Sequence, residues 1–124
     1  MSKNALSKSR HNAYKQQQAR CIYCERPTWL SNPQAFSHQY KITLKQARLF
    51  QCTAEHLTAR QDGGKDDRSN IVAACHFCNQ GRHKRKKPLD PVTYKDYVTN
   101  RVVKGRWNTP IMNSNSMVAF MAHQ

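Results

Sequence analysis

Acidic residues are scarce in this chain: seven Asp and Glu stand against 21 Lys and Arg, a formal charge of +14 over 124 residues. The first twenty residues contain no acid at all. Such an imbalance points to a polyanionic partner, nucleic acid first. Long apolar runs are missing too. Nothing approaches the roughly 18 residues that span a bilayer, which excludes a membrane-spanning chain and leaves no membrane partner to expect. Residues 1–20 hold no apolar stretch of signal-peptide type. Hydrophobic residues make up 38% and mean hydropathy is −0.89. A core that thin in a one-domain chain is marginal, because small domains bury a lower fraction of their surface. Chains of this kind usually carry a staple, either disulfides or a metal. Internal repeats, a helix-turn-helix pattern and a C₂H₂ finger are all absent, so strong base-specific readout is not expected.

Cysteine spacing identifies the staple. Five cysteines sit at 21, 24, 52, 75 and 78, four of them in the pairs Cys21-Ile-Tyr-Cys24 and Cys75-His-Phe-Cys78. An odd count argues against a disulfide framework. Thiolates two residues apart can reach one ion from a tight turn, and two such pairs complete a tetrahedral Zn²⁺ shell. Residues 25–74 would then loop out of the zinc site and return to it. A thioredoxin-type redox motif would need a βαβ context that this sequence lacks. Cys52 reads as a small buried hydrophobe and His76 as a surface residue.

The remaining pattern is coarse but legible. Residues 1–20 read as a basic arm, disordered to about residue 10, with a short helix running into Cys21. Prolines, Ser and Asn in 25–39 suggest loop. Thr43 suits a helix N-cap, with Leu44, Ala47 and Phe50 on one face. Strands are predicted near Cys52-Thr-Ala-Glu-His56-Leu and over Ile71-Val-Ala-Ala74, separated by a polar loop from Ala59 to Asn70. A basic helix is predicted from Cys78 to about Lys87, ended by Pro88. Asp90, Pro91 and Gly105 suit the cap, first turn and end of another helix, with Tyr94, Tyr97, Val98 and Val102 on one face. The expected layout is therefore an arm at 1–20, a zinc-stapled domain at 21–88, a C-terminal helix at 89–107 and a tail at 108–124.

The chemistry candidates fall between and just beyond the cysteine pairs: Glu55-His56, Gly63-Gly64, Asn70, Asn79 and His83. Asn79 and His83 are four apart, so a helix projects them from one face. A carboxylate, an amide oxygen and an imidazole that converge make a mixed oxygen and nitrogen site with open positions. Such a set suits Mg²⁺, Mn²⁺ or a late divalent metal better than structural zinc. On a strand Glu55 and His56 point to opposite faces, which leaves His56 as a candidate base when Glu55 faces the ion. Taken singly, Asn70 could cap a loop and His83 could contact a phosphate.

In this order and spacing the residues resemble the HNH endonucleases of ββα-metal fold. The narrower likeness is to the phage and bacterial members whose zinc is held by two cysteine pairs. Residues 52–83 carry the resemblance and Cys21 and Cys24 extend it. It implies an α+β fold, a small ββα-metal core stapled by the four cysteines, with flanking helices added. It implies that His56 is the general base activating water and that Glu55 binds a catalytic divalent ion. Asn70 would orient the His56 ring through a backbone or side-chain hydrogen bond, and Asn79 and His83 would complete the metal site. The chain differs from the commoner family pattern in carrying Glu at 55 and Asn at 79.

The activity implied is metal-dependent hydrolysis of phosphodiester bonds in DNA, double-stranded DNA above all. It would nick or cleave with low sequence specificity, in the cytoplasm of a bacterial or phage-infected cell. An imidazole titrating near ~6.5 can take a proton from water at neutral pH, while a divalent ion stabilises added charge and the departing O3′. Arg82, Lys84, Arg85, Lys86 and Lys87 would grip phosphates around the scissile bond. Lys95, Arg101, Lys104 and Arg106 could extend that footprint. A non-catalytic, zinc-stapled nucleic-acid-binding module is the alternative reading.

Overall fold

The computed structural model of the protein describes residues 3–108; apart from Asn108, the tail assigned to 108–124 lies outside them. In chain order the elements are α1 (Lys3–Gln16), α2 (Pro33–Tyr40), α3 (Leu44–Ala47), β1 (Cys52–His56), β2 (Ile71–Cys75), α4 (His76–His83) and α5 (Pro91–Val103). Short 3₁₀ turns at Arg48–Phe50 and Arg60–Asp62 complete the set. β1 and β2 pair antiparallel, with Cys52 opposite Cys75, Glu55 opposite Val72 and His56 opposite Ile71. Two strands alone are marginal in water, and here helices cover them. α1 lies on one face, where Ala13 packs with Cys52 and Ala73. α4 follows β2 directly and covers the other, completing the expected α+β, ββα core with flanking helices.

The arm expected over 1–20 is instead helical from Lys3. Small buried residues on its inner side, Ser9 and Ala13, let the helix approach the sheet closely. The Gln17 side chain then brackets Ala73, donating to its carbonyl and accepting from its amide at 2.9 Å each. Residues 25–39 are not all loop either. Asn32 Oδ1 accepts from the Ala35 amide at 3.0 Å, Pro33 occupies the first turn, and Phe36 and Tyr40 are buried one turn apart. Proline there starts the helix, since its missing N–H would have had no intrahelical partner anyway. Thr43 and Gln46 form a reciprocal capping box for α3, and Ala47 and Phe50 are fully buried while Leu44 stays exposed.

α4 begins at His76, two residues earlier than expected, because Cys75 is its N-cap and accepts from the Cys78 amide. It stops at His83 rather than running to Lys87. Pro88 disfavours helical backbone at Lys87, and consecutive like charges at 84–87 repel one another on a helix. α5 is capped as expected: Asp90 Oδ1 accepts from the Thr93 amide at 2.9 Å, and Gly105 turns the chain at φ 69°. Tyr94 and Val98 bury its inner face against the four paired cysteines, Tyr23 and Trp107. None of the helices described is long and apolar enough to cross a membrane.

Candidate active site and zinc centre

The ligand atoms of Cys21, Cys24, Cys75 and Cys78 lie within 4.8 Å of one another, and all four residues are buried. The Cys24 and Cys75 sulfurs are 3.9 Å apart, far beyond a disulfide bond but close to the ~3.8 Å edge of a tetrahedron with Zn–S bonds of about 2.3 Å. Amide donors face the sulfurs: Tyr23 N–H to Cys21 at 3.3 Å and Cys78 N–H to Cys75 at 3.4 Å. Trp107 Nε1 donates to Cys78 Sγ at 3.2 Å and Asn108 Nδ2 to Cys75 Sγ at 3.6 Å. Burial, and then the neighbouring sulfurs, push the Cys75 and Cys78 thiols well up. Despite its burial, the Cys21 thiol is drawn well down by hydrogen bonds from its three neighbours. Four buried thiolates cannot sit this close together unless a cation joins them, so the donor set fits a structural zinc. Cys52 and His76 stand apart from this cluster; burial raises the Cys52 thiol to about 11.

The cysteine cluster reaches the chemistry candidates through a side chain that lies between its first two members. Tyr23, inside the first cysteine pair, donates its hydroxyl to Glu55 Oε2 at 2.8 Å. Burial, and then the Glu55 charge, push the Tyr23 phenol far above its usual range, so it stays a donor. Arg82 Nη1 donates to the same Oε2 at 2.8 Å, and His83 Nε2 lies 2.8 Å from Oε1. Glu55 is wholly buried, whereas the His83 side chain is one-third exposed. Glu55 Oε1 and His83 Nε2 thus face each other at the rim. Their 2.8 Å separation is close to the ~3 Å between adjacent ligand atoms of an octahedral ion bound at about 2.1 Å.

The remaining candidates part from the expectation. Asn79 does not join Glu55 and His83. Its Nδ2 donates to Thr53 Oγ1 at 3.0 Å and to the Ala54 carbonyl at 3.3 Å, tying α4 to β1. Thr53 Oγ1 spends its own proton on the Ala74 carbonyl, which fixes the direction of that bond. Arg82, expected on phosphate, is buried and held by Glu55 and by the carbonyls of His56, Leu57 and Leu89. It is the countercharge that permits a buried carboxylate. Lys84, Arg85, Lys86 and Lys87 are exposed beyond the end of α4, with the Arg85 guanidinium 5.0 Å over the Tyr97 ring. Lys95 is tied to the Ile22 carbonyl and Glu25, which takes it out of the footprint.

His56 ends β1 on the face opposite Glu55. Its Nε2 lies 2.8 Å from Asp66 Oδ1, and Arg60 holds the same carboxylate at 3.2 Å. The hydrogen bond from His56, then those from Arg60, keep the Asp66 carboxyl below its ordinary range. Asn70 does not touch the His56 ring. Its Oδ1 accepts from the Thr58 amide at 2.8 Å, and its Nδ2 donates to the carbonyls of Thr58 and Lys65. Asn70 therefore closes the loop that carries Asp66. Gly64 permits that closure: a Cβ there would sit 1.7 Å from the Thr58 carbonyl oxygen.

Sequence reasoning missed Asp66, Tyr23 and the inward role of Arg82. An acid ten residues after His56, in a chain with so few, was the available signal for Asp66. Nothing in the sequence marked the other two.

The HNH endonuclease family model matches residues 21–85, just over half of the chain. No curated protein and no solved structure matches it significantly. The matched span opens at the first cysteine pair, encloses both strands and closes just after His83, so the ββα core, the cysteine cluster and the Glu55–His56 pair all lie inside it. On that match, the chain belongs to the HNH endonuclease family.

Proposed function

We propose that the protein is a metal-dependent endonuclease that hydrolyses phosphodiester bonds in DNA, with His56 as general base. One observation carries this reading: the last two residues of β1 present a Glu55–His83 ligand pair and a His56–Asp66 pair side by side in sequence. An ionised Asp66 can only accept, so Nε2 of a neutral His56 carries the hydrogen and Nδ1 keeps the lone pair. Nδ1 would then take the proton of the attacking water. A divalent ion of the Mg²⁺, Mn²⁺ or late transition-metal class, held by Glu55 Oε1 and His83 Nε2, would supply charge stabilisation at the phosphate and the departing O3′. Arg82 and Tyr23 hold and aim the buried Glu55 carboxylate through hydrogen bonds to Oε2, while Asn79 holds α4 against β1. Asn70 acts on the base indirectly, by shaping the loop that ends in Asp66.

Lys84, Arg85, Lys86 and Lys87 would contact phosphates without reading bases, giving affinity that falls steeply with salt. Double-stranded DNA in the cytoplasm of a bacterial or phage-infected cell is the substrate this reading favours, nicked or cut with low sequence specificity. The test is conversion of supercoiled plasmid in Mg²⁺, Mn²⁺ or Ni²⁺ by the wild type and by His56→Ala. Loss of cutting in His56→Ala, with metal-dependent cutting by the wild type, is expected. A His56→Ala protein that still cuts with metal would remove His56 as the base. Binding without cutting in any metal would favour a non-catalytic binding module instead.

A further inference from the structure

Four cations outside this site, Lys8, Lys15, Lys65 and Arg68, have side-chain nitrogens with no hydrogen-bond or ion-pair partner among the described residues. They are not scattered. Lys8, His11, Asn12 and Lys15 recur at helical spacing along one exposed stripe of α1, turned away from buried Ser9 and Ala13. Two depressions adjoin that stripe and share Lys8 and Arg68. One, of about 680 Å³, lies between α1 and the 60–68 loop and includes Lys65; the other, of about 450 Å³, continues along α1 to Lys15. Together they form one trough. Its acids are already engaged: Asp66 holds His56 and Arg60, and Asp67 Oδ1 accepts from the Ser69 hydroxyl.

The trough reaches the carboxylate partner of the candidate base. Asp66 lines it, and the Ser9 hydroxyl donates to the Asp66 carbonyl at 2.9 Å, joining α1 to the loop. No Phe, Tyr or Trp lines either depression. Bases would have no such ring to stack on, so what the surface offers is point charge for phosphate. Lys8 and Lys15 are two turns apart, about 10.5 Å along the axis, which spans about three steps of duplex at about 3.4 Å each.

We propose that this trough is a contact surface for the sugar-phosphate backbone of duplex DNA, holding the stretch next to the bond that the water activated by His56 would attack. It takes its substrate class from the nuclease reading and adds a surface on α1, outside the matched family span. The experiment measures binding of a short fluorescent duplex by anisotropy, without divalent ion, between roughly 50 and 200 mM salt. The triple variant Lys8→Gln, Lys15→Gln, Arg68→Gln is compared with a charge-matched control, Lys41→Gln, Lys45→Gln, Arg48→Gln, after thermal unfolding shows both are folded. The trough variant should flatten the slope of log affinity against log salt by about 2 to 3 and bind at least about 10-fold more weakly. The control should change the slope by less than about 1. Equal losses in the two variants, or an unchanged slope in the first, overturn the proposal. Plasmid cutting at saturating DNA separates the two readings. A wild type that never cuts, with the trough slope still lost, removes the nuclease and keeps the surface; normal cutting with an unchanged slope does the reverse.

Discussion

The Nε2 atom of His56 lies 2.8 Å from Asp66 Oδ1, and nine residues of chain separate the two. That loop is built around the contact. Gly64 lets the chain pass against the Thr58 carbonyl, Asn70 closes it, and Ser9 on α1 anchors the Asp66 backbone. The ring is thus held in one orientation by a carboxylate that is itself held.

Asp66→Asn should lower kcat by about 10- to 100-fold, the usual scale for losing the partner that orients a functional histidine. An amide can present Nδ2 to the ring, which favours the tautomer with its hydrogen on Nδ1 and removes the lone pair from the reacting side. Asp66→Glu should recover part of the loss. Thermal unfolding should move little, because Asp66 sits at the surface. Single-turnover plasmid cutting with KM measured alongside checks this: an unchanged kcat would exclude an orienting role.

The same pair sets a pH dependence. Asp66 is held below the ordinary carboxylate value of about 3.9 by the His56 hydrogen bond and then by Arg60. Because its folded pKa is depressed, its contribution to loop stability is fully present above about 3.9 and is lost as pH falls through the lower folded value. Carboxyl carbon shifts followed by NMR should place its midpoint below 3.9, and the shift should shrink as salt rises, since the group is exposed. A midpoint at or above that value would mean the pairing does not persist in solution.

Arg82 carries the opposite lesson about charge. Arg82→Ala leaves the buried Glu55 carboxylate with Tyr23 and His83 alone, and breaking a buried ion pair in this way typically costs about 3–5 kcal/mol. Arg82→Lys should not rescue fully, because one ammonium cannot replace a fork that also serves the carbonyls of His56, Leu57 and Leu89. Arg82→Met combined with Glu55→Gln should be much less destabilised than Arg82→Ala. Urea unfolding with zinc present measures all three. Additive losses in the double variant would show that the two groups do not depend on each other.

What the sequence made legible here was whatever depends on local spacing. Cysteine pairs, strand alternation at Glu55 and His56, and the caps at Thr43 and Asp90 each follow from residues close together in the chain. What it hid depends on contacts between distant segments. Arg82 looked like its neighbours Lys84 to Lys87, and only the arrival of Glu55 from β1 separates it from them. Asn79 and His83 share a helix face as expected, yet β1 offers Thr53 and Ala54 to one and Glu55 to the other. The helicity of 3–16 was hidden because the sheet it covers lies some forty residues further along the chain.

Tyr23 ties the cysteine cluster and the candidate active site into one structural unit. Its backbone amide caps Cys21, its ring stands edge-on to Tyr94 at 4.8 Å, and its hydroxyl ends on Glu55. Tyr23→Phe should therefore keep zinc and fold but lose a hydrogen bond to a charged group, about 1.5–3 kcal/mol of stability. It should also weaken Mn²⁺ binding at the Glu55–His83 pair, read by paramagnetic broadening of the His83 ring signals. Removing zinc should do more. Structural zinc contributes about 10–16 kcal/mol of apparent binding free energy in small domains, and much of this core is the cysteine cluster itself. Chelation, or Cys21→Ser, should abolish the cooperative unfolding transition and the Mn²⁺ effect together, with one zinc per chain measured in the intact protein. A chelated protein that kept both its transition and its Mn²⁺ response would mean that the cysteine cluster and the Glu55 site are independent.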